Sequence, residues 1–182
     1  MAHSDRANVS RTFRIQKSIF EQLQLLANSK GVNINTLGNQ VFRDYVEFHA
    51  HAGQAGLVPV YKELIVKLIE GKTPEEIEGL GSQIAALYMR NILSLLGYEL
   101  EPSAFLQVLE VWIRTSAFPC TMRINDNIQS YYIQHDMGIR WSLFMRAWIK
   151  KGFEYAPNAI EIEVSDQSFS MKIDRSKIQK QE

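Results

Sequence analysis

The sequence predicts an α+β protein in which a β-α-α unit is followed by a helical segment and a ββαββ C-terminal domain. Three observations lead there. Residues 10–15 alternate with period two, Arg11, Phe13 and Ile15 on one face and Ser10, Thr12 and Arg14 on the other. From Ile19 to Phe48, and again over 59–117, apolar side chains recur at three and four residues. After Pro119 the period returns to two on both sides of a helix expected over 137–153. The expected organisation is an N-terminal unit over 1–52, an α+β domain over 57–174 with helices over 59–117 and ββαββ over 120–173, and a charged tail over 175–182.

Within the first unit, residues 10–15 are expected as a half-buried strand. Ser18 and Glu21 have capping-box spacing, and Ile19, Phe20, Leu23, Leu26 and Ala27 carry a helix that Gly31 stops. Asn33 offers an N-cap for a second helix with Ile34, Leu37, Val41, Tyr45 and Phe48 on one stripe. Phe42 and Val46 widen that stripe beyond what the first helix covers, and Gly38 allows a close backbone approach. A lone strand and two short helices of about 40 residues do not close a core unaided. An intertwined homodimer is the expected solution.

Residues 1–8 are expected as a polar arm, and HAHAGQAG over 49–56 as a frayed helix end and hinge. From Pro59 the pattern is helical to Gly71; Thr73, Pro74 and Glu76 then start another helix with a cap, an N1 proline and a capping-box carboxylate. Gly79 and Gly81 are expected to split it, and Gly97 to end it. Pro102 opens a helix that turns Phe105, Leu106, Leu109, Trp112 and Ile113 inward. A hairpin turning at Asn125-Asp126-Asn127 follows, with Cys120 before its first strand expected as a small core residue. Asp136 is expected to cap the helix carrying Trp141, Phe144, Met145, Trp148 and Ile149. The last hairpin sets Ile160, Ile162 and Val164 against Phe169, Met171 and Ile173.

Order, lengths and the GVNINT junction of the first unit resemble the ribbon-helix-helix family of DNA-binding proteins, which includes the Arc and methionine repressors. The resemblance covers residues 8 to 52. It implies that strands from two subunits enter the major groove with Ser10, Thr12 and Arg14 on base edges. Lys17 and the amides around Asn33, Ile34 and Asn35 would then hold phosphates. Of these side chains Arg14 is the one whose guanidinium matches the two acceptors of a guanine.

Twenty basic and twenty acidic residues cancel over 182 positions, so general polyanion binding is excluded and any nucleic-acid affinity must be local. One Cys forms no internal disulfide, the start MAHSDRANVS lacks a signal-peptide run, and no apolar run reaches the roughly 18 residues of a membrane helix. A soluble, cytoplasmic, nucleoid-associated protein is expected. Catalysis would need a nucleophile beside a base, a metal constellation or a phosphate-cradling loop, and no such spacing occurs. His135-Asp136 is the best polar pair, and it lacks a third group; His49 and His51 turn apart on a helix with no supporting ligand. The expected function is that of a prokaryotic-type, sequence-specific DNA-binding transcriptional regulator. It binds double-stranded DNA as a homodimer or higher oligomer through a ribbon in the major groove. The C-terminal domain would oligomerise or sense a small-molecule or protein effector. No enzyme activity, cofactor, metal or membrane is expected. The alternatives are an antitoxin-like protein, against which the long ordered-looking C-terminal part argues, and a dimeric scaffold that does not bind DNA.

Overall fold

Among the described residues helices between Lys17 and Thr115 precede every strand, and one further α-helix lies between the two hairpins of the sheet. The computed structural model describes residues 9–99 and 101–178, and its contacts divide the chain into a compact unit up to Arg43 and another from Asp44 onward. The elements are α1 (Lys17–Ser29), α2 (Ile34–Asp44), α3 (Lys62–Ile69), α4 (Pro74–Leu96), α5 (Pro102–Thr115), β1 (Cys120–Asn125), β2 (Ile128–Gln134), α6 (Ile139–Gly152), β3 (Ile160–Val164) and β4 (Ser168–Asp174). The fold is α+β, but the N-terminal ribbon-helix-helix assignment is overturned. Among the described residues no strand precedes Cys120, and residues 9–16 have no regular secondary structure. Alternation says which side chains share a face; it does not supply a neighbour for the backbone amides, and among the described residues the strand pairings do not include residues 10–15. Phe13 instead turns onto α2, its ring 5.5 Å from that of Phe42.

Helix α1 begins at Lys17 after Gln16, with no side-chain cap, so Ser18 falls inside the first turn and the expected capping box does not form. It ends as expected: Gly31 takes φ +65°, and the Val32 amide donates back to the Ala27 carbonyl at 3.0 Å. Asn33 does cap α2, its Oδ1 accepting from the Thr36 amide at 2.8 Å. The helix then runs on without a break through a π-helical stretch, Tyr45–His49, and a last turn, Ala50–Ala52. The segment expected as a hinge over 49–56 is therefore helical in its first half. The expected arm over 1–8 and the end of the tail lie outside the described residues. Arg175–Lys177 form a short 3-10 turn and Ile178 is buried.

In the second unit α4 forms the reciprocal capping box, with the Thr73 amide donating to Glu76 Oε2 at 2.8 Å and the Glu76 amide donating to Thr73 Oγ1 at 3.3 Å. It is one continuous helix, not two. Gly81 does not break it, because the backbone of α6 passes there: a Cβ on Gly81 would stand 2.6 Å from the Phe144 carbonyl oxygen. Gly81 permits this close helix approach, and packing on the neighbouring helix offsets its poor propensity. The four strands form an antiparallel sheet in the order β1-β2-β4-β3, with Ile160 opposite Ile173, Ile162 opposite Met171 and Val164 opposite Phe169, the expected register. Its inner face brings Tyr131, Ile133, Phe169, Met171 and Ile173 to a core shared with Phe105, Trp148, Ile149 and Phe153.

Helix α6 starts two residues later than expected. Asp136 takes φ +58° in the connection and does not cap it; Asp166 does, from the β3–β4 turn, accepting from the Ile139 amide at 3.0 Å. Gly138, at φ +81°, turns the chain into the helix. Among the described residues no helix is long and apolar enough to cross a membrane.

Candidate functional site

Charge and burial both single out residues 9–43. They hold five basic side chains, Arg11, Arg14, Lys17, Lys30 and Arg43, against the single acid Glu21. Lys17 reaches Glu21 at 3.8 Å in an exposed pair of the kind that contributes little, and Arg11 and Arg14 pair with no described carboxylate. Ser10, Thr12 and Arg14 are exposed, as the sequence reading required of base-reading groups, but so are Arg11, Phe13 and Ile15. The expected one-sided burial is absent. Only Ala27 and Leu37 are buried in this unit, and Phe13, Ile15, Ile19, Phe20 and Phe42 line an open groove of about 920 Å³ between the irregular segment and the two helices.

At the start of α2 the first turn carries no acidic side chain. Asn33 caps it, and the amides of Ile34 and Asn35 belong to the first-turn donors that have no intrahelical acceptor. Such a helix end favours an anion. Lys17, Asn33, Ile34 and Asn35 fall in the same compact unit as Ser10, Thr12 and Arg14, and of these Ser10, Arg14, Ile34 and Asn35 line the open groove.

The second unit holds the polar groups that a search for chemistry would inspect. His135 is fully buried; its Nδ1 accepts from the Met137 amide at 3.0 Å, so the ring proton sits on Nε2 and is donated to Ser142 Oγ at 2.7 Å. The Ser142 hydroxyl donates in turn to the Ser165 carbonyl at 2.6 Å. That direction is opposite to the one a serine nucleophile needs, since the imidazole gives a proton to the hydroxyl instead of receiving one. Burial holds the His135 pKa below the ordinary imidazole value; Asp136 opposes the shift and Lys62 adds to it. The chain His135–Ser142–Ser165 ties the end of β2, α6 and the β3–β4 turn together. Sequence reading found His135 but not Ser142, whose position seven residues on gives no signal by itself.

Cys120, expected in the core, is exposed, and partial burial raises its thiol pKa. Tyr131 and Trp148 are buried, Tyr132 is exposed, and Trp141 stacks on Phe144 at 5.1 Å. A second cavity, of about 400 Å³, is lined by Val46, Phe48, Tyr88, Ile92 and Val108, with Arg114 at its edge. Arg114 donates to Asp44 Oδ1 at 2.7 Å and also to Glu47, holding α5 to the π-helical stretch. Burial pushes the Tyr88 hydroxyl up to about 12, so this wall presents a neutral phenol. Among the described residues no group of three or more His, Cys, Asp or Glu side chains could hold a metal ion. No family model matches the chain, and no curated protein or solved structure matches it either.

Proposed function

We propose that this chain is a sequence-specific DNA-binding regulator that acts as a homodimer or higher oligomer in the cytoplasm, at the nucleoid. Residues 9–43 contact the duplex, and the second unit assembles the protein or senses an effector. The observation that carries this reading is the segregation of charge. In a chain of balanced composition, residues 9–43 have five basic groups to one acid, while residues 44–182 have fourteen basic groups to eighteen acids. Arg11 and Arg14 are exposed, and neither pairs with a described carboxylate, so both are available to phosphates or base edges. Self-association follows from the uncovered groove, because a unit with two buried side chains needs further apolar cover. The contact is assigned to the irregular segment and the α2 N-terminus, not to a paired ribbon.

Fluorescence anisotropy with random and genomic duplexes over a salt series tests the reading. Affinity falling steeply with salt, with a best sequence standing out, supports it; no binding at low salt refutes it. Arg14→Ala is expected to cost about 1–3 kcal/mol on the best site, whereas Lys17→Ala weakens all duplexes alike. A second reading, a dimeric scaffold or antitoxin-like protein without DNA binding, is favoured by the same exposed apolar groove. Absence of salt-dependent binding together with self-association would select it.

A further inference from the structure

The two edges of the sheet are built differently. On β3 the outer edge is five residues long and carries Glu161 and Glu163, charges that discourage another strand from adding there. The other edge, β1, carries a single charge, Arg123, on the outer face of the sheet and none among Cys120, Met122 and Ile124.

The Gln134 amide of β2 donates to the Pro119 carbonyl at 3.0 Å, one step beyond the pair Cys120–Ile133. Alternate residues of an antiparallel strand face its neighbour, so Pro119, Thr121, Arg123 and Asn125 direct their backbone groups to β2. The amides and carbonyls of Cys120, Met122 and Ile124 therefore point to the free edge. Their side chains share the inner face of the sheet with their cross-strand partners Ile133, Tyr131 and Gln129. Gln129 Nε2, 3.2 Å from the Met122 sulfur, confirms the side. Those partners are 0, 4 and 2 % exposed, whereas Met122 is 52 % and Ile124 58 % exposed. Within one strand spacing the core ends. Among the described residues no strand pairs with the outer side of these three residues, and their side chains stay exposed.

We propose that β1 pairs antiparallel with β1 of a second copy about a two-fold axis at Met122, joining two sheets into one. The register of β1 fits a second copy of the same strand. Pairing centred on Met122 sets Met122 against Met122 and Cys120 against Ile124 of the second copy on the inner face, with Thr121 against Arg123 on the other. Every apolar residue meets an apolar one, and the pairs Cys120–Ile124 and Met122–Met122 are those whose backbone groups point outward. Of the two neighbouring symmetric registers, the one centred on Arg123 opposes two guanidinium groups, and the one centred on Thr121 sets Ile124 against Phe118, which precedes the strand, so both are disfavoured. The strand is thus complementary to itself. This interface uses none of residues 9–43 and stands whether or not the protein binds DNA.

The test uses the full-length chain. Sedimentation of Met122→Lys, which sets two ammonium groups against each other across the axis, is expected to show an assembly of half the wild-type mass with an unchanged circular dichroism spectrum. Met122→Cys in a Cys120→Ser background is expected to cross-link to itself with a short bis-maleimide, whereas Glu163→Cys in that background is not. If Met122→Lys assembles as the wild type does, or if Glu163→Cys cross-links as readily as Met122→Cys, the proposal is overturned. Should Met122→Lys fail to fold, the pair of cysteine variants decides. A duplex titration of the same Met122→Lys protein keeps the outcome separate from the DNA-binding reading, since loss of pairing leaves residues 9–43 unaltered.

Discussion

Residues 9–43 and residues 44–178 carry amphipathic helices of the same kind, yet they end in opposite states. In the second unit the apolar faces of α4, α5, α6 and the sheet close on one another, and Phe105, Phe153, Phe169, Ile133 and Ile149 are fully or almost fully buried. In the first, Phe13, Ile19, Phe20, Val41 and Phe42 all remain exposed. Pattern strength does not separate the two. The number of elements does: two helices and an irregular segment offer too few surfaces to cover each other, whereas three helices on a four-stranded sheet make two layers.

The sharpest way to break this contrast is a matched pair of truncations. Phe105→Ala, which removes a ring wedged at 5.1 Å from Trp148 and 5.3 Å from Phe153, is expected to destabilise the second unit by about 3–5 kcal/mol in urea unfolding. Phe20→Ala, at an exposed position, is expected to cost about 0.5 kcal/mol or less in dilute protein and more as concentration rises. An equal, concentration-independent loss for both would mean that residues 9–43 have a closed core of their own.

Next in size is the buried polar chain. Ser142→Ala leaves the His135 Nε2 proton and the Ser165 carbonyl without that partner, and is expected to cost about 1–3 kcal/mol in the same unfolding experiment. The chain also sets a pH dependence. Because burial lowers the folded-state pKa of His135, the unfolded state binds more protons below the ordinary value of 6.5. Stability is therefore retained above that pH and declines as pH falls from 6.5 toward the folded-state pKa. Unfolding curves at about pH 7.5 and about pH 5.5 measure it, and His135→Gln is expected to flatten the difference. A dependence that survives in His135→Gln would place the titrating group elsewhere.

The smallest effect sharpens the first unit. Asn33→Ala removes the cap of α2 and is expected to cost about 1 kcal/mol of helix stability, read from the circular dichroism melt. The same change is expected to weaken duplex binding on every sequence alike, since it loosens the helix end and not a base contact. A loss confined to the best site would assign Asn33 to base reading.

What the sequence determined by itself is local. Thr73 and Glu76 specify a capping box, Gly31 and Gly97 specify left-handed helix ends, and the alternation of 160–164 against 169–173 specifies a register, because each depends on residues a few positions apart or on a tight turn. Tertiary structure decided whether a patterned face finds cover. Residues 10–15 alternate like β1 and β2, but only β1 and β2 have each other, joined by Asp126 and Asn127. Gly81 reads as a break until α6 is seen to lie against it, and the cap of α6 comes from Asp166, in a turn 27 positions along the chain. The exposed row Cys120, Met122 and Ile124 has the pattern of a buried strand; it is exposed because the helical layer stops one strand short. Periodicity records which side chains share a face. What covers that face is set by contacts between distant segments, which no local pattern records.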